Sequence, residues 1–245
     1  MKRCFTLVEL GVIVGCLAVL AGMTLPMSDR AFETARKSAC ASNLRQNAMG
    51  MLSYSEGHDG WVPLFSNGYY SWFQFPGVPQ ELGLDITQNL NLTSPRPVTF
   101  CPDVQILNNP WTTTICYGAP WIHETSKNDF NINREVEFVI GTPAWVMVRP
   151  NMLPDPSIYV MLADSAYGPW QYPGTERTVA GNPAPAFYRR DAGFLGVAKR
   201  HMDTANLAYA DGHVDDSSDK TRIWTKSKIG DLLSNNGRVI EYTWQ

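Results

Sequence analysis

Residues 10–25, LGVIVGCLAVLAGMTL, carry no charged side chain over sixteen positions. Lys2 and Arg3 precede this stretch, and one acidic residue, Glu9, adjoins it. At about 1.5 Å of rise per residue, a helix of about 20 residues is roughly 30 Å long, the thickness of a bilayer's hydrocarbon core. The pattern predicts a transmembrane helix over residues 5–26, with the basic start cytoplasmic and the rest of the chain exported.

The composition of the whole chain is that of a folded domain without the charge of a nucleic-acid binder. Of its 245 residues, 44% are hydrophobic and 18% are charged, which is enough apolar material for a packed core. Twenty Lys and Arg residues stand against 23 Asp and Glu residues, so the net charge is −3. DNA and RNA are therefore not expected partners.

Three kinds of N-terminal signal combine a basic start with an apolar run, and the sequence leaves all three open. A secretory signal would be cut after Ala21, and a lipoprotein signal would be lipidated at Cys16. The third kind keeps the helix and uses Glu9. A carboxylate in hydrocarbon costs about 3 kcal/mol unless it is paired. This cost favours a signal in which Glu9 has a partner.

The start KRCFTLVEL, residues 2–10, resembles the class III signal of type IV pilins and type II secretion pseudopilins. The resemblance implies that prepilin peptidase cuts between Cys4 and Phe5 and methylates the new Phe5 amine, so that residues 1–4 are a leader. Glu9 then becomes the fifth residue of the mature chain. The family usually has Gly at the position of Cys4. In a bundle of such helices, Glu9 of one subunit can neutralise the Phe5 amine of a neighbour.

His201, Asp211 and Gly212 carry a second resemblance, to the C-terminal H-X9-DG motif of pilin-like proteins described as prepilin-type processing-associated. Residues 40–46, 100–102 and 163–165 also match features of that family. The two resemblances together imply a pilin-like protein, but they do not imply a chemical role for the His or the Asp.

The role of these motif residues is open between a structural and a chemical one. Asp211-Gly212 can serve only to make a hairpin turn, while His201 bonds a strand end or Asp164. One chemical alternative is a metal site formed by His201, His213, Asp164 and Asp211. The other is a hydrolytic triad formed by Ser165, His201 and Asp211. The structural role is favoured because the spacing is too loose for a common metal motif and Ser165 lacks a nucleophile elbow. No catalytic residue, metal or cofactor is predicted.

Cysteine usage divides between the membrane and the exported part. Cys4 would leave with the leader and Cys16 lies in the apolar stretch, while Cys40, Cys101 and Cys116 would be exported. An oxidising compartment permits one disulfide among these three thiols, with three pairings open. The stretches around Cys40 and Cys101 match the family, so the resemblance favours a disulfide between these two.

Residues 27–56 predict an amphipathic continuation of the membrane helix, bent at Pro26, which lacks an N–H. Its end is expected near residues 56–60, where Gly and Asp supply turn conformations. The apolar positions that predict its buried face are Phe32, Ala35, Ala39, Leu44, Ala48, Met51 and Leu52.

Residues 57–245 predict an exported, β-rich domain. Strands are expected at residues 138–140, 144–148 and 158–163, and a hairpin with a type I′ turn at Asp211-Gly212 is expected within residues 205–216. Residues 65–120 predict loop-rich insertions around short strands. The predicted fold class is α+β, with one long N-terminal helix packed on an antiparallel sheet.

The sequence thus predicts a structural subunit of a type IV pilus or a type II secretion filament, and not an enzyme. Its expected partners are prepilin peptidase, other pilin-like subunits and the bacterial inner membrane, which the helix crosses once with its N-terminus cytoplasmic. The alternative is a membrane-tethered or lipidated binding module. Aromatic residues among Gly and Pro, such as Trp72 and Phe73, allow a glycan-binding surface in that case, although packing in the core is favoured for them.

Overall fold

The computed structural model describes residues 6–66, 72–83, 98–104, 117–120, 136–139, 145–167, 186–187, 195–217, 232–234 and 239–241, with side chains 24–28 among those left out. The structure is mixed α+β, as the sequence predicts, and combines one long N-terminal helix with two β-sheets.

Helix α1 is a 50-residue element, Leu7–Glu56, and it starts with a capping box. The Glu9 backbone N–H donates to the Thr6 hydroxyl at 3.3 Å, and the Thr6 backbone N–H donates to the Glu9 carboxylate at 2.9 Å. The helix is continuous through Pro26, where the sequence predicts a bend, and Gly57 caps its C-terminal end.

The two halves of α1 have different surroundings. Residues 6–23 are exposed throughout, and their large apolar side chains point away from the helix on all sides. Among the side chains of α1 that the structure describes, the buried face begins at Cys40 and continues through Leu44, Ala48 and Met51. The prediction that this face includes Phe32, Ala35 and Ala39 is wrong, because all three are exposed. The part of the chain that the structure describes contains no helix with both the length and the apolar character needed to span a bilayer.

The described part of the chain continues with a short helix and eleven strands. Their bounds are β1 Val62–Ser66, α2 Val78–Glu81, β2 Tyr117–Pro120, β3 Val136–Val139, β4 Trp145–Val148, β5 Val160–Tyr167, β6 Ala186–Phe187, β7 Leu195–Lys199, β8 Ala205–Tyr209, β9 Val214–Ser217, β10 Leu232–Ser234 and β11 Val239–Glu241.

The strands form two sheets, whereas the sequence predicts one. The smaller sheet has the order β1-β4-β3 and is antiparallel. The larger sheet has the order β11-β10-β7-β5-β2-β6, and β8 joins it by pairing with β5 and β9. It is largely antiparallel, but β7 pairs with β10 and β2 pairs with β6 in parallel. Strand β5 is its centre, because β2, β7 and β8 all pair with it.

The hairpin of β8 and β9 is confirmed, but its turn differs from the predicted type I′. The backbone N–H of Tyr209 donates to the carbonyl of His213, which leaves a loop of residues 210–212. A type I′ turn needs positive φ at both central residues, and here Gly212 has a φ of 87° while Asp211 is not left-handed. A three-residue loop with glycine in the left-handed region fits this geometry.

The main core lies between α1 and the sheets. Its largest fully buried side chains include Trp72, Tyr117, Leu44 and Met161. The indole N–H of Trp72 donates to the Tyr117 carbonyl at 3.0 Å, which ties the residue 72–83 segment to β2. Helix α1 packs on β8, with further contacts to β1, β5, β9 and α2. This packing brings the helix against the strand that carries Asp164.

Candidate functional site

Four buried side chains meet where α1 crosses the larger sheet, and we call them the central cluster. Each contributes one atom that can bind a metal, and these four atoms all lie within 4.8 Å of one another. None of the four residues has measurable exposure to solvent. The members of the central cluster are Cys40, Cys101, Asp164 and His201.

The secondary structure explains why Cys40 and Asp164 meet. Cys40 is the first buried residue among the described side chains of α1, and it faces the sheet. Asp164 lies in β5 opposite Tyr117 of β2, and its Oδ1 accepts a hydrogen bond from the Cys40 thiol at 3.3 Å. The Tyr117 hydroxyl donates to the Cys40 carbonyl at 3.2 Å, so β2 also holds this turn of the helix in place.

His201 reaches the cluster because of how β7 and β8 follow one another along β5. Residues 195–197 pair with residues 165–167, and residues 207–209 pair with residues 160–163. The segment between these two strands therefore passes beside Asp164. It contains a tight turn in which His201 and Thr204 exchange backbone hydrogen bonds of 3.1 and 2.8 Å. Met202 and Asp203, the central residues of that turn, have φ of 49° and 62°, the pattern of a type I′ turn.

The turn at His201 is strained and is tied to the helix. A left-handed φ costs a residue with a long side chain such as Met202 about 1–2 kcal/mol. The Met202 backbone N–H donates to the Glu33 carboxylate of α1 at 3.2 Å. The Thr204 hydroxyl donates to the His201 carbonyl at 2.7 Å. These contacts fix the turn that carries His201 against α1.

The distances within the cluster are short. His201 Nε2 lies 3.2 Å from the sulfur of Cys101 and 3.8 Å from Oδ2 of Asp164. The same Asp164 oxygen accepts the backbone N–H of Asn206 at 3.0 Å. The other ring nitrogen of His201, Nδ1, lies 3.6 Å from the carboxylate of Asp103 and makes no hydrogen bond to a described residue.

Burial and mutual contact shift the protonation of all four groups. Burial raises the pKa of Asp164 and of the Cys40 thiol. Hydrogen bonds from Cys40 and then from His201 outweigh burial at Cys101 and lower the pKa of its thiol to about 6. Burial alone would lower the pKa of His201, but its contacts with Cys101 and Asp164 raise it. The contacts within the cluster therefore favour the thiolate of Cys101 and the protonated form of His201 more than burial alone would allow.

This arrangement can hold a cation or form a disulfide, but it offers no exposed nucleophile. A thiolate beside an imidazolium is reactive only where a substrate can approach it, and Cys101 has no exposed surface. Cys40 and Cys101 are free thiols in the structure, with their sulfurs within 4.8 Å of each other. The predicted disulfide between them stays a prediction. Cys116 lies outside the described residues.

The structure separates the residues of the H-X9-DG motif. His201 is in the core, whereas Asp211 is exposed at the hairpin turn and pairs with Nδ1 of His213. Gly212 faces α1, where an added Cβ would lie 3.0 Å from Sδ of Met49. The metal site and the hydrolytic triad that the motif suggested both require Asp211 beside His201. The structure does not bring these two residues together.

The other predicted sites lie at the start of α1 and in the core. Glu9 lies in the capping box with Thr6, on the exposed start of α1. The processing residues Cys4 and Phe5 lie outside the described residues. Trp72 and Phe73 are buried in the core, so these two aromatics are not part of a surface patch.

Sequence reasoning missed the combination of sulfur ligands with His201 and Asp164. It considered Cys40 and Cys101 only as a disulfide, because no short Cys or His spacing joins the four residues. It also missed Asp103 and Tyr117, the neighbours of the cluster. Comparisons of the chain with protein-family models, with curated proteins and with solved structures each found no match.

Proposed function

We propose that this protein is a pilin-like structural subunit that assembles through the first half of α1. The observation that carries the proposal is the contrast within one continuous helix. Its second half is buried against the sheets, whereas Leu7 is 88% exposed and Leu17 is 60% exposed in its first half. An apolar surface of this extent on a single helix calls for a partner, either lipid or neighbouring helices.

The sequence supports lipid as the first partner and neighbouring subunits as the second. The apolar residues 10–25 follow a basic start, which favours insertion into the inner membrane with the larger part of the chain exported. The resemblance of residues 2–10 to the class III signal supports cleavage by prepilin peptidase between Cys4 and Phe5. The cleaved helices would then pack together in a type IV pilus or a type II secretion filament.

Glu9 is the residue on which assembly would depend. In a single chain its carboxylate bonds Thr6, through the Thr6 backbone N–H and hydroxyl at 2.9 Å each. This pairing is local and leaves the negative charge without a counter-charge among the residues that the structure describes. A positively charged Phe5 amine from a neighbouring subunit would supply one in a low-dielectric bundle, where such a pair is strong.

The globular part is fixed firmly enough to α1 to move with it. Lys37 pairs with Asp216 of β9 at 2.6 Å, and Arg36 pairs with Asp103 at 3.3 Å. Deeper along the helix, the Asn43 side chain donates to the Phe100 carbonyl at 3.1 Å. A subunit that is pulled or pushed by its helix would therefore carry the whole β-rich part with it.

Substituting Glu9→Ala should leave membrane insertion intact and reduce assembly about tenfold, because about 1.4 kcal/mol of lost pairing is tenfold in an equilibrium constant. The measurement is the fraction of subunit in sedimentable filaments sheared from the native host. Glu56→Ala is the matched control, since Glu56 is an exposed glutamate at the opposite end of the same helix. Equal filament fractions for Glu9→Ala and the wild type would contradict the role of Glu9.

Intact mass and N-terminal sequencing of the protein from host membranes test the processing step. A methylated Phe5 start is expected. A lipidated Cys16 start, or a start after Ala21, would contradict the subunit proposal and indicate a tethered or secreted binding module. An unprocessed Met1 start would contradict the assembly proposal.

A further inference from the structure

We propose that the central cluster is a structural zinc site, in which each of its four side chains supplies one ligand to a single Zn²⁺ ion. This inference is independent of filament assembly and concerns the join between α1 and the sheets. It rests on spacing, on the chemistry of the ligands, on burial and on the residues behind them.

The spacing of the ligand atoms fits a tetrahedral zinc ion. Zinc bonds of about 2.3 Å to sulfur and about 2.0 Å to nitrogen or oxygen place neighbouring ligand atoms about 3.3–3.8 Å apart. The observed separations are 3.2 Å from Cys101 Sγ to His201 Nε2 and 3.3 Å from Cys40 Sγ to Asp164 Oδ1. His201 Nε2 lies 3.8 Å from Asp164 Oδ2. All four ligand atoms lie within 4.8 Å of one another, so small shifts of the side chains would bring them to the separations of one tetrahedral site.

The ligand set is also one that zinc prefers. Two thiolates, one imidazole and one carboxylate give an S2NO site, and tetrahedral sites with thiolate and imidazole ligands are typical of Zn²⁺. Hard cations such as Ca²⁺ and Mg²⁺ instead need six or more oxygen ligands, or bound water, which this sulfur-containing cluster does not offer. Four protein ligands leave no position for a substrate, so the site is structural and not catalytic.

The charges around the cluster suit a bound divalent cation. With both thiols deprotonated, the ligands carry three negative charges, of which Zn²⁺ neutralises two. Arg200, which is buried beside β5, adds a positive charge near Asp164 and donates to the Ser165 carbonyl at 2.6 Å. A nearly neutral set of buried charges is far less costly than three uncompensated anions.

The residues behind the ligands are those expected around a zinc site. A histidine that binds zinc through one nitrogen commonly donates its other N–H to a carboxylate, which fixes the ring. Here Nε2 faces the cluster, and Nδ1, which lacks a hydrogen bond to any described residue, lies 3.6 Å from the Asp103 carboxylate. Asp103 is held in turn by Arg36 at 3.3 Å. Asn206 donates its backbone N–H to Asp164, which orients that ligand as well.

A disulfide between Cys40 and Cys101 would account for the two sulfurs but not for the positions of Asp164 and His201. It would join the two sulfurs but would leave Asp164 and His201 buried in contact with an uncharged group. Zinc accounts for all four side chains and for the orientation of the His201 ring. One zinc ion would also join α1, the residue 98–104 segment, β5 and the turn after β7.

The direct test is the zinc content of the full chain, purified in detergent from host membranes without chelators. We expect about one zinc ion per chain by elemental analysis. After zinc is removed with a chelator, titration with Co²⁺ alone should give the visible absorption of a tetrahedral cobalt–thiolate centre. This spectrum reports the ligands in the wild-type chain, so it does not depend on whether a variant folds.

Ligand variants provide the second test. Cys101→Ser should lower the zinc content at least about tenfold, because a serine hydroxyl is not among the ligands that hold structural zinc. Cys16→Ser is the matched control, since Cys16 is an exposed thiol on the first half of α1, and it should retain the full content. Circular dichroism of each variant separates loss of metal from loss of fold.

Asp103 and Arg36, which lie behind His201, allow zinc affinities to be compared between two variants. Asp103→Asn should weaken zinc binding about 10–100-fold, as is typical when the partner of a ligating histidine is changed. Arg36→Ala breaks the ion pair with Asp103 but leaves the carboxylate beside His201, so its effect should be smaller. These affinities are measured by competition with a chromophoric chelator.

Three results would overturn the proposal. The first is host-purified protein that contains no zinc and gives no cobalt–thiolate spectrum. The second is a Cys40–Cys101 disulfide in the host-purified protein, found by peptide mapping without reduction. The third is a folded Cys101→Ser variant with wild-type zinc content.

Discussion

Gly212 shows how a single residue of the H-X9-DG motif can be required for reasons of shape. Its φ of 87° lies in the left-handed region that favours glycine. An added Cβ would also lie 3.0 Å from Sδ of Met49 and 3.2 Å from Cδ1 of Leu52 on α1. Both the turn and the close approach of the hairpin to α1 therefore depend on the absence of a side chain at Gly212.

Substituting Gly212→Ala should destabilise the protein by about 2–4 kcal/mol. About 1–2 kcal/mol comes from the left-handed backbone, and about 1 kcal/mol or more comes from overpacking against Leu52. Gly83→Ala is the matched control, because Gly83 has a φ of 66° but no atom within 4 Å of the added Cβ. Gly83→Ala should lower the free energy of unfolding only by the backbone contribution of about 1–2 kcal/mol. Chemical denaturation measures both, and equal losses would show that contact with α1 does not matter.

At the scale of the element, α1 has two kinds of surface. Its first half presents exposed apolar side chains, and its second half supplies Cys40, Leu44, Ala48 and Met51 to the core. The change occurs within one unbroken helix, so the helix can transmit position from one half to the other. Burial against the sheets, rather than helix propensity, decides which half contributes to the stability of the domain.

The same substitution in each half of α1 should therefore change the free energy of unfolding by very different amounts. Leu44→Ala removes a fully buried side chain and should lower the free energy of unfolding by about 2–5 kcal/mol. Leu17→Ala removes a side chain that is 60% exposed and should change it by less than about 0.5 kcal/mol. Urea unfolding followed by circular dichroism measures both. A large loss for Leu17→Ala would show that the first half packs on the domain.

At the scale of the whole molecule, the contacts that hold the described part together begin beyond the apolar stretch. The first contacts from α1 to the sheet region involve Glu33 and Thr34, which reach the turn at Met202. Further along, the ion pairs of Arg36 and Lys37 and the buried face from Cys40 follow. The described strands that these contacts reach therefore pack with residues 30–56 as one folded unit.

A chain that begins at residue 28 should fold with an unchanged free energy of unfolding, within about 0.5 kcal/mol of the full chain in detergent. It should be absent from filaments, because it lacks the apolar half of α1 and Glu9. Urea unfolding and sedimentation of filaments provide the two measurements. A truncated chain that fails to fold would show that residues 1–27 contribute to the domain itself.

Local patterns in the sequence were enough to predict the long helix, its end near Glu56, strands β3, β4, β5, β8 and β9, and the α+β class. These features depend on propensities and periodicities over a few residues, which a single sequence displays. The buried face of α1 was predicted less well. Phe32 has the right spacing but projects from the helix before the sheet begins, and its exposed fraction is 66%.

The apolar helical start, the mixed α+β class and the hairpin at Asp211-Gly212 could be predicted, because each follows from residues that are neighbours in the sequence. The contact of Cys101 with His201, 100 positions further along the chain, and that of Cys40 with Asp164, 124 positions further along, arise only when the chain folds. These meetings depend on strand order and register, on β7 and β8 following one another along β5, and on the point where α1 crosses the sheet. Such non-local pairing leaves no periodic signal in the sequence, so the central cluster becomes visible only in the folded chain.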